Sequence, residues 1–195
     1  MSVDSKKVTV GKPKVGGAVF KAPLGTTLPT DATTALNVAF TDAGYISEEG
    51  VTNSKGRETS DVKAWGGDTV LKPQTSKTDN FKMTFIEALN VDTLKVVHGD
   101  DNVSGTLSAG ITIKENAKEL THYAWVIEMV LNDSCVKRIV IPDAQVTELE
   151  DVVYKDDDAV GYNATLTAYP SSSMDGDTHR EYIKKVVASG GSGNA

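Results

Sequence analysis

A single cysteine, Cys135, is present, so no disulfide can close within the chain. Folding that does not rely on oxidation suits a reducing cytosol. A length of 195 residues suffices to bury a core without covalent staples. Histidine is nearly as scarce. His98, His122 and His179 lie far apart, with no HxxxH, HExxH or CxxC spacing, so zinc has no ligand set. No apolar run approaches the roughly 18–20 residues needed to cross a bilayer. Met1–Gly17 lacks the apolar segment of a signal peptide. These absences point to a soluble chain, without a membrane anchor or a classical export signal. Aromatics make up 6% of residues and do not interleave with Lys or Arg, which leaves no stacking platform for nucleic acid. With 20 Lys and Arg against 27 Asp and Glu, the formal charge is −7, a balance that repels phosphate at long range.

Catalytic constellations are missing as well. Gly16-Gly17, Gly66-Gly67 and Gly190-Gly191 are not followed by the Lys-Ser/Thr and helix of a phosphate loop. Gly66-Gly67 after Trp65 reads instead as a bulge or tight turn. Counted from Asp156, an EF-hand loop would need a Glu at its twelfth place, where Thr167 stands. Asp156-Asp157-Asp158 and Asp100-Asp101-Asn102 therefore read as solvated turns. Glu148 and Glu150 share a strand face and Glu87 ends a strand, but no pocket assigns them acid and base roles. Cys135 has no His or Asn partner in view and reads as a plain thiol. Neither an enzyme nor a cofactor or metal site is expected.

What is present is alternation. Phe81, Met83 and Phe85 alternate with Lys82 and Thr84, the period of a strand with one buried face, over Asn80–Ile86. A short helix follows at about residues 91–98. Asn90 is a good N-cap, Asp92 lies in the first turn, His98 in the last, and Gly99 stands where a left-handed residue belongs. Val91, Leu94 and Val97 would form its buried face. So short a helix must pack on a sheet. Leu107–Ile113 reads as the next strand. Tyr123–Leu131 is apolar on both faces except at Glu128, which suits a central strand covered on each side or one meeting another subunit. Asn132-Asp133-Ser134 turns the chain, and Val136–Ile141 returns until Pro142 ends it. Val146–Tyr154 pairs with Val160–Tyr169 across Lys155–Asp158. Short strands are also expected at Gly44–Ile46, Val62–Trp65 and Thr69–Lys72, while Phe20–Leu28 is short, apolar and interrupted by Pro23 and Gly25, and Gly25–Leu36 is turn-like throughout. Gly50–Asp61 is polar throughout and reads as a long loop of the kind that carries function. Residues 178–188 fit a helix, with Thr178 and Glu181 as a capping box, and an exposed strand equally well.

One lone helix inside an all-β pattern identifies the chain. The segment Phe81–Val103 (FKMTFIEALNVDTLKVVHGDDNV) resembles the tail tube proteins, or major tail proteins, of long-tailed, non-contractile (siphovirus-type) bacteriophages. Ala39–Thr52, the closing hairpin Val152–Pro170 and the polar loop Asn53–Asp61 resemble the same family. The resemblance implies a mainly β fold: a β-sandwich or partly closed barrel with one short flanking α-helix, an extended arm and a loop. It implies an N-terminal arm at 1–18, a tube domain at 19–170 and a C-terminal extension with a flexible tail at 171–195. It further implies a structural virion protein, made in the bacterial host cytoplasm. Six copies would form a ring, and rings would stack into a hollow tube that conducts double-stranded DNA during ejection. A tape-measure protein and a tail terminator would be its partners. By position, the ring-to-ring contacts fall on Lys12 and Lys14 of the arm and on Asn53, Lys55, Arg57, Glu58 and Asp61 of the loop.

Three other readings compete. A carbohydrate-binding or adhesion module predicts exposed aromatics on one sheet face and a monomer. A jelly-roll enzyme predicts clustered His and carboxylates. A tail terminator predicts a scarce virion part.

Overall fold

A computed structural model describes residues 3–186. The tail Ser189–Ala195 and the end of the ambiguous 178–188 segment lie outside the described residues. Among the described residues thirteen strands occur in chain order: β1 (Lys12–Pro13), β2 (Val19–Pro23), β3 (Thr41–Asp42), β4 (Ile46–Thr59), β5 (Val62–Lys63), β6 (Thr69–Leu71), β7 (Gln74–Phe85), β8 (Val103–Thr106), β9 (Gly110–Ile113), β10 (Tyr123–Val130), β11 (Cys135–Leu149), β12 (Tyr162–Ala168) and β13 (Arg180–Lys185). The helix α1 spans Val91–His98 between β7 and β8. Nine strands form one antiparallel sheet with the path β3-β2-β10-β11-β12-β7-β4, while β1 joins β10 and β13 joins β11. The ends of that path, β3 and β4, do not pair with each other, so the barrel stays open.

The central strand β10 explains the layering. Tyr123, Trp125 and Ile127 point into the larger core with Phe81, Met83, Phe85 and Leu166. Ala124 and Val126 point the other way, into a smaller core with Ala22, Phe40, Val140 and Met174. The segment between β2 and β3 and a 3-10 turn at Ser172–Met174 help cover that second face. Both faces of β10 are thus closed within the subunit, and its apolar run needs no neighbouring copy. β12 shows the simpler pattern, with Tyr162, Ala164, Leu166 and Ala168 buried and the residues between them half-exposed.

Helix α1 begins and stops where expected, but Gly99 does not take the left-handed conformation read from the sequence. The Asn90 side chain accepts from the Asp92 N–H, and the Gly99 N–H donates to Lys95 O at 2.9 Å. Gly99 adopts φ +95° and ψ 145°, outside the left-handed helical well, in a conformation open to glycine. The buried face is Thr93, Leu94, Val96 and Val97, with Val91 at its margin. Thr93 joins it because its hydroxyl donates to Ala43 O at 2.9 Å.

Several expectations are corrected. Gly50–Asp61 is not a loop: residues to Thr59 form β4, laddered to β7 from Val51↔Met83 to Thr59↔Gln74. Alternation was absent there because most of that ladder is wet on both faces. Leu107–Ile113 is broken into a turn and β9. Gly105, at φ +93°, brings β8 so close to β9 that a Cβ there would lie 2.0 Å from Gly110 O. Pro142 does not end its strand. It lies between Val140, the last residue paired to β13, and Ala144, the first paired to β12, beside an irregularity in the β10 ladder. A missing N–H is tolerated where the ladder changes partners. β11 stops at Leu149, so the predicted Val146–Tyr154 strand is shorter, though its pairing with β12 stands. At the C-terminal end, Arg180–Lys185 is a strand. Thr178 does not cap a helix; its hydroxyl donates to Asp79.

Candidate assembly surface

Beyond Asp79 the strands β4 and β7 leave the body together as a two-stranded hairpin. Every residue from Ser54 to Thr78 is exposed or half-exposed. The sheet body ends at this level because β12 pairs with β7 only as far as Thr167↔Asn80. Above it, β13 takes the place beside β11. Ten or so residues at about 3.4 Å each carry the hairpin on the order of 30 Å outward. At its end β5 and β6 form a small separate ladder, closed by the turn at Trp65-Gly66-Gly67. Gly66 and Gly67 both have positive φ, and Ala64 N donates to Asp68 O at 2.8 Å. The tight turn read from the sequence is therefore present.

The hairpin root is fastened by a buried carboxylate. Asp79 accepts from Asn53 Nδ2 at 2.9 Å, from the Thr178 hydroxyl and from His179 Nδ1. Burial alone would raise the Asp79 pKa, but those hydrogen bonds outweigh it and hold the carboxyl below its ordinary value. His179 also stands edge-on to Phe81, with centroids 5.2 Å apart, and its Nε2 lies 3.5 Å from Glu181 Oε1. Glu181 in turn pairs with Lys137 at 2.7 Å and Lys55 at 3.6 Å. Chiefly through Lys137, its carboxyl is also held low. Strands β4, β7, β11 and the β13 segment thus meet at one node. It holds no nucleophile beside a free base, because the Thr178 hydroxyl and the His179 ring are both spent on Asp79.

A second buried carboxylate fastens the arm. Glu128 on β10 meets Arg138 of β11 and, at 2.6 Å, Lys14 Nζ. Arg138 donates onward to Asp31 O at 2.8 Å. Burial would raise the Glu128 pKa, but Lys14 and Arg138 prevail and keep it low. Glu128, the one break in an apolar run, is therefore the anchor of residues 12–14.

The seven residues expected at a ring contact divide into two places. Asn53 belongs to the root node. Farther out, Arg57 donates across the ladder to Gln74 Oε1 at 2.8 Å, and Glu58 accepts from Ser76 at 3.0 Å. Asp61 lies 3.2 Å from Lys72. With Lys55 these residues share one hairpin. Lys12 and Lys14 do not join them: they flank β10, with β11, β12 and β7 between. Lys14 is spent on Glu128, while Lys12 is exposed. Sequence reasoning missed Asp79, Thr178 and His179, which a hundred positions separate and only the sheet brings together. It also missed Val62, Trp65, Val70 and Leu71, all exposed at the tip. Apolar residues around a Gly-Gly turn were the available signal.

Two recesses of about 350 and 310 Å³ lie elsewhere, one lined by Leu120 and Gln145, the other by Leu28, Met174 and Tyr182. Among the described residues no group of three His, Cys, Asp or Glu could hold a metal. Among the same residues no helix is long and apolar enough to cross a membrane.

A family model described as phage tail tube protein matches residues 1–187. A search of curated proteins finds no match. Among solved structures, the cryo-EM structure of the anti-feeding prophage cap (AFP tube terminating cap) is 11% identical. It covers 95% of this chain and 100% of its own, with a TM-score of 0.38.

Proposed function

The chain belongs to the phage tail tube protein family, a family of structural virion proteins and not of enzymes, and on that premise we propose that it builds the DNA-conducting tube of a long, non-contractile phage tail. Copies associate in rings of six, and rings stack along an axis into a hollow tube. The observation that carries this reading is the unsupported hairpin. An arm on the order of 30 Å long, tied to its own subunit near the root by Lys55 with Glu181 and Lys77 with Thr178 and exposed beyond them, is built to reach another. Such a contact joins unlike surfaces, so it repeats without closing and grows a filament. Around the ring, the edges of β3 and β4 are free to pair with neighbouring copies, which removes an exposed sheet edge.

The charge of −7 suits a conduit. A negative wall offers phosphates no partners and so does not retain passing DNA. A tape-measure protein that sets length and a terminator that ends the tube are the expected partners, with synthesis and assembly in the bacterial host. The ring-to-ring contacts fall on Lys55, Arg57, Glu58 and Asp61 of the hairpin, with Asn53 at its root. Lys12 lies in the exposed arm, and Lys14 ties that arm to the body.

Negative-stain electron microscopy of the concentrated protein, with light scattering on the same sample, tests this reading. Rings or hollow tubes are expected. Deleting Ser54–Ser60 should abolish polymerisation and leave the body folded. Polymerisation that survives the deletion would show the hairpin contact to be wrong.

A further inference from the structure

The hairpin tip carries an apolar surface that nothing in its own subunit covers. Val62 stands opposite Leu71 on the β5–β6 ladder, Val70 lies next to it, and Trp65 projects from the turn. Trp65 is 108% exposed, while the other tryptophan, Trp125, is 1% exposed. A large aromatic held out by a Gly-Gly turn costs solubility unless something uses it. An isolated two-stranded ladder is also marginal in water and gains from a partner.

Building on the stacking reading above, we propose that Trp65, with Val62, Val70 and Leu71, is the anchor by which the hairpin seats on a second copy of this chain. Charge favours that occupant. From Asn53 to Asp79 the hairpin carries five cations and four anions, a net +1 against −7 for the whole chain, which leaves −8 on the rest. A near-neutral, slightly positive arm approaches an acidic body of its own kind without repulsion. The tip itself is balanced, with Asp61 and Asp68 against Lys63 and Lys72, so its apolar residues can be buried without stranding a net charge. Of the charged shaft residues, Arg57 and Glu58 have partners across the ladder in Gln74 and Ser76, while Lys55 and Lys77 reach back to Glu181 and Thr178; these contribute register. The tip supplies the buried aromatic centre that dominates protein contacts.

The two tryptophans make the test direct, because one is quenchable and the other is not. In unassembled protein, iodide should quench the Trp65 share of emission. Trp65→Phe should remove that share and leave only the protected Trp125 signal. In tubes formed by the concentrated full chain, the quenchable share should fall several-fold and the emission should shift to the blue. Trp65→Ala should lower tube yield at least tenfold, with the Trp125 emission and far-ultraviolet circular dichroism unchanged. Equal quenching in tubes and free protein would overturn the proposal, as would normal polymerisation of Trp65→Ala. The hairpin deletion separates the two ideas. If it abolishes tubes while Trp65→Ala does not, the anchor alone is wrong. If tubes survive the deletion, the stacking reading itself fails.

Discussion

The strand β10 and the hairpin β4–β7 are built from the same backbone ladder and opposite side chains. β10 is buried on both faces and spends its one charge, Glu128, on Arg138 and Lys14. The outer hairpin is wet on both faces, carries charges in cross-ladder pairs and exposes its tryptophan. The first arrangement places energy inside the subunit. The second leaves exposed the surface that the proposed contacts between subunits would use. Matching substitutions in the two regions should therefore act on different measurements.

Truncation of the tryptophans separates the regions most widely. Trp125→Ala should cost about 3–5 kcal/mol of folding stability in a urea titration, because it opens a cavity in the larger core beside Tyr123, Ile141 and Ala144. Trp65→Ala should leave the urea midpoint unchanged. Glu128→Ala comes next. It strands the Arg138 guanidinium, which is 2% exposed, and should cost on the order of 3–5 kcal/mol while freeing residues 12–14 to protease.

Acid should reproduce part of that effect. The folded pKa values of Asp79 and Glu128 lie below their ordinary values of 3.8 and 4.5. The folded state therefore holds fewer protons than the unfolded state. The stability these groups supply is complete above the ordinary carboxylate range and is lost as pH falls through the lowered folded values. Urea midpoints measured from pH 7 down to pH 2 should fall below about pH 4. Glu128→Gln should flatten that fall.

At the hairpin root, Asp79→Asn keeps a partner for Thr178 but weakens the acceptor facing His179. The expected cost is about 1–3 kcal/mol. Amide exchange should quicken at Asn53–Glu58 and Thr178–Ile183 before it does in β10. The smallest effect belongs to the shaft. Lys72→Ala, which removes the exposed pair with Asp61, should change folding stability by less than about 1 kcal/mol.

The elements legible in the sequence were those with one wet face and one dry one. Phe81, Met83 and Phe85 announced the inner half of β7, and Tyr162–Ala168 announced β12, because alternation survives wherever a single face is buried. The helix showed its limits through Asn90 and Gly99, which act within a few residues of themselves. β4 was illegible because a ladder wet on both faces leaves no apolar period. Pro142 misled because its tolerance depends on which strand lies beside it. Of the residues expected at a ring contact, the charged ones from Lys55 to Asp61 stood out by composition, and the structure gathers them on one hairpin. The apolar tip went unnoticed because Trp65 in a Gly-Gly turn reads locally as a turn marker.

Local chemistry, then, determined the mainly β character, the single capped helix, the turns at Gly66-Gly67 and Asn132–Ser134, and the absence of metal-binding and nucleophilic spacing. All of these depend on residues within a turn or two of one another. Tertiary structure alone decided that Asp79 would meet His179, that Glu128 would hold Lys14, and that a polar stretch would become an arm standing clear of the body. Those contacts join positions about a hundred residues apart. They arise only when the sheet order brings distant strands side by side, and spacing along the chain carries no record of that order.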